Sequence, residues 1–319
     1  VINQIVRYIT PDISVVTTVG QDHYTRYRTF EAVAAEKGNL VEHTRNSGTV
    51  VLNLDDSYVA AMAERAVAPV LTFGINEKAD VCASDISAIW PERLSLTVSY
   101  QGASIRIDTR LVGALWVTSV LAAVAAALAA GISLADCASA LHNIDPINRR
   151  MSLHQIPAGA MVISDCNKAP FWGVSKCIHL LSEARAPRKT LVVGSISDMP
   201  GATGAKYRGV AREGLAIADR VIFVGVYVVS VRKMITPENA SRLFAFDSIQ
   251  EAARFLEADV MPEEVILIKS GKKEHLERLY HSQSLAWSCW KYPCMFPDDC
   301  LECHENGLNE LDKHGYFSG

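Results

Sequence analysis

The sequence lacks a strong charge of either sign, a leader-type amino terminus and any internal repeat. It contains 31 Lys and Arg against 35 Asp and Glu, so its formal net charge is −4. A charge this small gives no general attraction to nucleic acid or to anionic lipid. Residues 1–10 contain neither a basic n-region nor an apolar h-region, so we expect no secretory leader. We therefore predict a cytoplasmic protein with neither a nucleic-acid nor a membrane partner.

Only one apolar stretch is long enough to suggest a membrane span. Residues 111–134 read LVGALWVTSVLAAVAAALAAGISL, and a run of this length meets the requirement for a transmembrane helix. Its many alanines, the glycines near both ends and the internal Thr118 and Ser119 fit a buried helix of a globular domain better. The chain has 319 residues, 49% of them hydrophobic, which is enough for two domains with separate cores.

Strand-like and helix-like segments alternate through the first half of the chain. This order predicts a parallel sheet covered by helices. Two later segments alternate apolar and polar residues around Gln101-Gly102 and predict a β-hairpin. The Ala-rich helix follows, and Ser133 is the predicted cap of one more helix. The predicted elements are helix 2–9, strand 13–18, helix 29–43, strand 49–56, helix 58–66, strand 68–74, hairpin 93–111 and helix 133–142.

The same alternation restarts after a linker at 145–150. The overall prediction is an α/β fold with two domains and a tail: a parallel-sheet domain (1–147), a Rossmann-like domain (148–285) and a Cys-rich tail (286–319). In open parallel sheets, ligands bind beyond the carboxyl ends of the strands. The predicted elements of the second domain are strand 160–165, helix 172–183, strand 189–195, helix 205–217, strand 220–225, helix 248–257 and strand 264–270.

Seven segments, taken in order, resemble the Mur ligase family, whose members are ATP-dependent ligases that add amino acids or dipeptides to UDP-muramoyl precursors. The resemblance is closest to the D-alanyl-D-alanine-adding branch. It covers roughly residues 2–280 and implies the fold of the family's central and C-terminal domains, the central one incomplete at its amino terminus. The segments are RYITPDISVVTTVGQDH (7–23), AAEKG (34–38), VLNLDD (51–56), NRRM (148–151), VISDCNKAPFWG (162–173), LVVGSISDMPG (191–201) and VILIKSGKKEHLERL (265–279).

In the first domain the resemblance implies a Mg·ATP site. His23 would be a magnesium ligand, and Lys37 would be either a carbamate that supports the metal or a cation that faces phosphate. Asn53 would contact the adenine. Without the resemblance, the same residues have a simpler interpretation, in which Asp22 caps a helix and Lys37 is a solvated surface lysine.

In the second domain the resemblance implies further contacts to the nucleotide. Arg150 would approach its ribose and phosphates, Asp165 would accept hydrogen bonds from the ribose hydroxyls with Asn167 nearby, and Lys168 would approach the γ-phosphate. The implied reaction is phosphorylation of a carboxylate by ATP, followed by attack of an amino-acid or peptide amine. The implied partners are therefore a nucleotide and small carboxylate and amine substrates.

Three features of the family are missing from this sequence. It contains no Gly-rich loop ending in Gly-Lys-Thr or Gly-Lys-Ser, the motif that wraps phosphates. The magnesium-binding Glu expected before Ile2 is absent, and Leu115 and Trp116 stand where the family has polar residues. We expect a fragment of a longer ligase, one half of a split ligase completed by a partner polypeptide, or a degenerate homologue that acts as a binding or scaffold subunit.

Four of the eight cysteines crowd into the tail, whereas the others are scattered as free thiols would be. The four follow a C-x4-C-x5-C-x2-C spacing, with His304 adjacent. Four thiolates can bind Zn²⁺ tetrahedrally and order a segment that is too short for a core of its own. Two disulfides or an unstructured tail are the alternatives. The predicted zinc ligands are Cys289, Cys294, Cys300 and Cys303.

Overall fold

The computed structural model describes residues 2–20, 27–199, 201–292, 294, 296, 299–303 and 306. The chain forms two compact units, Val1–Asp145 and Pro146–Gly319. The elements of the first unit are α1 (Ile2–Ile5), β1 (Ile13–Val16), α2 (Phe30–Glu42), β2 (Thr49–Asn53), α3 (Ser57–Ala60), a 3-10 helix (Ala61–Arg65), β3 (Val70–Gly74), β4 (Val81–Ser87), β5 (Ser95–Tyr100), β6 (Ala103–Asp108), a 3-10 helix (Ala114–Trp116), α4 (Val117–Ala129) and α5 (Leu134–His142).

The sheet of the first unit has six strands in the order β1-β2-β3-β4-β5-β6. The first four are parallel, and β5 and β6 continue the sheet as antiparallel strands. The predicted parallel sheet and hairpin are therefore confirmed. In the hairpin, Tyr100 pairs with Ala103, and the intervening Gln101 and Gly102 both have positive φ, as a tight two-residue connection requires.

Helices cover both faces of this sheet and create two apolar clusters. On one face, α4 packs its apolar side chains against strand residues such as Val51, Phe73 and Leu96. On the other face, Val33 and Val41 of α2 lie in one cluster with Val50. The alternating strand side chains thus have apolar partners on both faces, which is why β2 reads as a nearly continuous apolar run.

Several predicted bounds in the first unit need correction. Helix 2–9 is shorter, because α1 ends at Ile5, and helix 58–66 is a short α-helix followed by a 3-10 turn. The apolar run 111–134 contains the buried helix α4 and not one long helix. Strand β4 was not predicted. No helix in the described part of the chain combines the length and apolar character needed to cross a membrane.

The second unit is also built on a six-stranded sheet, in the order β11-β10-β9-β12-β8-β7. All its pairings are parallel except that of β7 with β8. Its elements are β7 (Ser152–Gln155), β8 (Met161–Asp165), α6 (Phe171–Glu183), β9 (Lys189–Val193), α7 (Thr203–Ile217), β10 (Arg220–Val224), α8 (Val228–Arg232), β11 (Leu243–Phe246), α9 (Ile249–Ala258), β12 (Val265–Lys269), a 3-10 helix (Lys272–Glu274) and α10 (Arg278–Ser284).

Each strand and helix predicted for the second unit is present, with its ends shifted by a few residues. The antiparallel β7, the short edge strand β11 and the helices α8 and α10 were not predicted. One apolar cluster lies where Val162, Ile222 and Ile266 of the sheet meet α9 and α10. Residues 285–292, which follow α10, form neither helix nor strand.

Candidate functional site

The loop that leaves β1 is held in place by the carboxylate of Asp56. Asp56 precedes α3 and caps it, because its Oδ1 accepts a hydrogen bond from the Val59 amide at 3.1 Å. Its Oδ2 accepts from the Thr18 hydroxyl at 3.0 Å and from the Val19 amide at 2.8 Å. One side chain at the end of β2 therefore fixes the backbone at the carboxyl end of β1.

Two of the predicted site residues contact the same loop. The Asn53 side chain is buried and donates from Nδ2 to the Thr17 carbonyl at 2.8 Å, while its Oδ1 accepts from the Asp55 amide at 3.0 Å. Lys37, half-buried on α2, donates from Nζ to the Thr18 carbonyl at 2.5 Å. Lys37 and Asn53, which are 16 residues apart in the sequence, thus meet around one loop at the carboxyl ends of two parallel strands.

The predicted metal ligand of this site, His23, lies outside the described residues, as does its neighbour Asp22. The first acid of the NLDD segment, Asp55, organises the turn after β3. It accepts hydrogen bonds from the amides of Ile75 and Asn76 at 2.8 and 2.9 Å. A Cβ on Gly74 would come within 2.7 Å of this carboxylate, so the turn after β3 depends on glycine at that position.

In the second unit, Asp165 forms a buried ion pair with Lys269. The two residues are direct partners in the register of β8 and β12, both are about 5% exposed, and Asp165 Oδ2 lies 2.5 Å from Lys269 Nζ. The Cys177 thiol also donates to Oδ2, at 3.2 Å. Burial raises the pKa of Cys177 to about 12, so this thiol stays protonated at neutral pH and can donate.

Asn167 and Lys168 lie half-buried on the loop between β8 and α6. Lys269 holds this loop by donating to the Lys168 carbonyl at 2.9 Å. The loop also pairs with the segment after β9, because the Phe171 amide donates to the Ser197 carbonyl and the Ser197 amide donates to the Ala169 carbonyl, at 2.9 and 2.7 Å. The structure therefore places Asp165, Asn167 and Lys168 at the carboxyl edge of the second sheet.

A second hydrogen-bonded group at this edge joins the segments after β9 and β12. Glu274 accepts from the hydroxyl of Ser195 and, at 3.4 Å, from that of Ser270. The Ser195 amide donates to Ser270 Oγ at 3.2 Å. A Cβ on Gly194 would come within 2.2 Å of Ser270 Oγ, so this close approach of the two segments requires glycine.

Comparison with known proteins relates this chain to one family. Residues 2–127 match the family described as the Mur ligase middle domain. A UDP-N-acetylmuramoyl-L-alanyl-D-glutamate--2,6-diaminopimelate ligase of Geobacillus thermodenitrificans is 34% identical over 165 residues, 50% of this chain and 34% of the relative. A UDP-N-acetylmuramoyl-tripeptide--D-alanyl-D-alanine ligase of Mycobacterium bovis is 29% identical over 222 residues, 67% of this chain and 44% of the relative. The chain therefore resembles the Mur ligase family, through a family model over residues 2–127 and through individual relatives over longer stretches.

Solved structures of Mur ligases confirm the predicted α/β fold of both units. MurF from Acinetobacter baumannii superposes with a TM-score of 0.79 at 22% identity, covering 88% of this chain and 62% of that structure. MurF from Thermotoga maritima in complex with ADP gives a TM-score of 0.72 at 17% identity, with 88% and 63% covered. The chain spans less than half the length of the two curated Mur ligases named above.

The Mur-ligase-like NRRM segment contains two arginines with different surroundings. Arg150, the predicted nucleotide contact, is half-buried, and its side chain forms no hydrogen bond or ion pair with the described residues. Arg149 is buried and pairs with Glu277 at 3.1 Å and with Asp299 at 3.6 Å. Of the two arginines, Arg149 stabilises the second unit through its buried ion pairs, and the nucleotide contact of Arg150 stays a prediction.

Sequence reasoning missed the buried polar network around Glu277. His275 Nδ1 lies 2.8 Å from Glu277 Oε1 and 3.3 Å from Cys300 Sγ, and His275 Nε2 lies 2.9 Å from the Phe296 carbonyl. Burial alone would raise the pKa of Glu277, but the hydrogen bond from His275 and the charge of Arg149 hold it below its ordinary value. The segment LERLYH reads as a surface helix, so no local signal indicated that its charged residues are buried.

The four cysteines proposed as zinc ligands line one cavity in the second unit. All eight cysteines of the chain are free thiols, so the structure contains neither of the disulfides considered as an alternative. Within the described residues, the metal-ligating atoms that lie within 4.8 Å of one another belong to His275, Glu277 and Cys300. The four sulfur atoms therefore surround a common space and are not gathered as tightly as bound ligands are.

Proposed function

We propose that this chain provides the central and C-terminal domains of an ATP-dependent amide ligase of the Mur type. The observation that carries the proposal is the convergence of Lys37 and Asn53 on the loop after β1, at the strand ends where α/β sheets bind ligands. The T. maritima relative is a MurF ligase in complex with ADP, which supports a nucleotide as the ligand of this fold.

The reaction we propose has two steps. A carboxylate oxygen of the acceptor attacks the γ-phosphorus of ATP, and ADP leaves with the electrons of the broken P–O bond. The amine of an amino acid or peptide then attacks the acyl phosphate, the tetrahedral intermediate expels inorganic phosphate, and the amine proton passes to solvent. Both steps place negative charge on phosphoryl oxygens, so fixed cations and hydrogen-bond donors stabilise the transition states.

Lys37 is the described cation best placed for this role in the first unit. Its hydrogen bond to the Thr18 carbonyl fixes Nζ beside the loop, and either an ammonium or a carbamate, which retains one N–H, can make this bond. Asn53 would hold the adenine side through the amide hydrogen that Thr17 does not use. His23 is the proposed ligand of a magnesium ion, which would neutralise phosphate charge when bound. The Asp56 carboxylate already accepts from three donors and is better suited to shaping the loop.

The proposed contribution of the second unit is a set of polar groups for the ribose and phosphates. Asp165 has Oδ2 committed to Lys269 and Cys177, so Oδ1 would accept from a ribose hydroxyl. Lys168 and Asn167, on the adjacent half-buried loop, would face phosphate, and Arg150 would add a further cation. The buried Lys269 would act on the nucleotide only indirectly, by holding Asp165 and the Lys168 carbonyl.

The substrates we propose are those of the D-alanyl-D-alanine-adding branch. The M. bovis relative carries that name, and MurF structures share the fold over 88% of this chain. The acceptor would be a UDP-muramoyl peptide carboxylate and the amine a D-alanyl-D-alanine dipeptide. Because the sequence contains no phosphate loop, the complete reaction would also need that loop from a further segment or from a partner polypeptide.

The first test is native mass spectrometry of the protein purified from its own source, with and without Mg·ATP. The proposal expects an ATP complex, and a longer chain or a second polypeptide that carries a Gly-Lys-Thr loop. The same preparation should release phosphate only when UDP-muramoyl tripeptide and D-alanyl-D-alanine are both present.

Substitution of Lys37 then tests the site itself. Lys37→Ala should reduce kcat by about 10²–10³, as expected when a donor to a transition-state oxyanion is lost. Lys78→Ala removes an exposed lysine of the same unit and should leave kcat unchanged. A preparation that neither binds ATP nor releases phosphate, or a Lys37→Ala variant with full activity, would refute the ligase proposal.

A second candidate function is that of a catalytically degenerate binding or scaffold subunit. One observation favours it: within the described residues, the indole N–H of Trp116 is buried without a hydrogen-bond partner, in the segment where the family has polar residues. The resemblance implies that Trp116 stands there in place of a polar residue. ATP binding without turnover, unaffected by Lys37→Ala, would support this candidate over the ligase.

A further inference from the structure

A cavity in the second unit is bordered by all four cysteines of the C-terminal segment. Cys294, Cys300 and Cys303 are buried, and Cys289 is half-buried. None of the four forms a disulfide. Four unoxidised thiols from one short segment, facing a common space, are the donor set that soft divalent metals select in proteins.

The wall of the same cavity contains a buried cation, Arg278. Arg278 is fully buried, and its guanidinium donates to four backbone carbonyls: those of Glu274 and His275 in its own segment, and those of Cys289 and Lys291 across the cavity. In the part of the chain that the structure describes, it forms no ion pair. Burial of an uncompensated charge is costly, so this arrangement points to a negative group in the cavity.

Among the described residues, the apolar cluster of the C-terminal segment is small. Its own cluster has three buried members, Trp287, Cys300 and Leu301. Trp290 and Tyr292 pack against the core of the second unit. Polar contacts add to this packing: the Trp287 indole donates to the Cys289 carbonyl at 2.8 Å, and Asn306 Nδ2 donates to the Cys300 carbonyl at 2.9 Å. A core this small does not order a segment without help from a metal or a disulfide.

We infer that Cys289, Cys294, Cys300 and Cys303 bind one Zn²⁺ ion, and that this ion fastens the C-terminal segment to the second unit. Binding releases one proton from each thiol, so the zinc tetrathiolate carries a net charge of −2. That negative charge exceeds and so compensates the single positive charge of Arg278, which donates to the Cys289 and Lys291 carbonyls of the metal-binding segment. The sulfur atoms move toward the centre of the cavity on binding, since they lie farther apart than ligands of one ion in the structure.

His275 is a neighbour of this centre and not one of its ligands. Its Nδ1 and Nε2 face the Glu277 carboxylate and the Phe296 carbonyl at 2.8 and 2.9 Å. Both ring nitrogens therefore already have an oxygen partner. His275 instead supports the segment by holding Phe296, which lies between Cys294 and Cys300 in the sequence.

The test is the metal content of the full-length protein, purified without chelator and measured by inductively coupled plasma mass spectrometry. We expect about one zinc per chain. Cys300→Ser/Cys303→Ser should contain less than about a tenth of that amount. Cys82→Ser, which removes a half-exposed thiol of the first unit, is the matched control and should retain the full content.

A second measurement avoids dependence on whether the double variant folds. Hydrogen exchange of the wild-type protein, before and after treatment with a zinc chelator, should show increased exchange in residues 285–292 and unchanged exchange in strands β8 to β10. Three results would overturn the inference: a metal-free wild-type chain whose four thiols are all alkylated, a mass lowered by two disulfides, or full zinc content in the double variant. None of these tests depends on ligase activity, so the zinc site and the proposed function can fail separately.

Discussion

Substitution of Asp165 by Asn removes one charge from the buried pair with Lys269 and keeps the shape of the side chain. Both residues are about 5% exposed, and the charged atoms lie 2.5 Å apart. The change leaves the Lys269 ammonium buried with the Lys168 carbonyl, at 2.9 Å, as its remaining strong acceptor. It also weakens the bond that Cys177 donates to the carboxylate.

The expected loss of stability follows from this geometry. Breaking a buried ion pair by removing one partner costs about 3–5 kcal/mol. Because Lys269 keeps one carbonyl acceptor, we expect the lower end of this range, about 3 kcal/mol. With a urea m-value of about 2 kcal/mol/M, the unfolding midpoint of the second unit should fall by about 1.5 M. Asp247→Asn breaks an exposed pair with Arg232 in the same unit, and should cost less than about 1 kcal/mol.

The assay is urea unfolding followed by circular dichroism, without nucleotide, with hydrogen exchange of β12 to assign the transition to the second unit. A double variant, Asp165→Asn/Lys269→Met, removes both charges and should be more stable than Asp165→Asn alone. If Asp165→Asn costs no more than Asp247→Asn, or if the two substitutions are additive, the pair does not stabilise the fold in the way the geometry indicates.

Two further predictions concern pH and close packing. Burial lowers the pKa of His281 to about 3 and that of His154 to about 4. Between pH 6.5 and 4 the unfolded chain therefore binds protons that the folded chain does not. As the pH decreases through this range, the free energy of unfolding should decrease by about 1.4 kcal/mol per pH unit for each group. The urea midpoint of His281→Phe should depend less steeply on pH than that of the wild-type protein. The exposed His142→Asn is the control and should keep the wild-type dependence. An unchanged slope for His281→Phe would contradict the prediction. Gly194→Ala places a Cβ 2.2 Å from Ser270 Oγ and 2.9 Å from Leu276 and should lower the free energy of unfolding by about 1–3 kcal/mol. Gly209→Ala, in open space within α7, should instead raise it by about 0.5–1 kcal/mol. Equal effects of the two substitutions in thermal unfolding would refute the packing argument.

The sequence was sufficient for the elements in which local preference and burial agree. Gln101-Gly102 predicts the hairpin because both residues tolerate positive φ, and Ser133 caps α5 by accepting from the Asp136 amide at 3.1 Å. Strand β4 escaped prediction because only its first half is buried, and its pairing shifts register between Ser84 and Ser87. Its apolar and polar residues therefore do not alternate regularly.

The candidate site was predictable as a set of segments and not as a set of contacts. The resemblance marked the segments that contain Asp165 and Lys269, but the two residues are 104 positions apart, and only the register of β8 and β12 makes them partners. Likewise, the sequence pointed to Lys37 without indicating that its partner is the carbonyl of Thr18. Contacts of this kind depend on strand pairing across the sheet, which local patterns do not encode.

The start and the end of the second unit are tied together by hydrogen bonds across most of its length. Asn148 donates to Asp299 at 2.6 Å over a separation of 151 residues, and Asp299 also pairs with the buried Arg149. During synthesis at about 5–20 residues per second, Arg149 waits on the order of 10 s before Asp299 is made. The sheet itself also waits, because β8 and β9 are joined only through the late strand β12. We therefore expect the second unit to fold only when nearly all of it has been made, and Arg149 and Asn148 to remain accessible to chaperones until then.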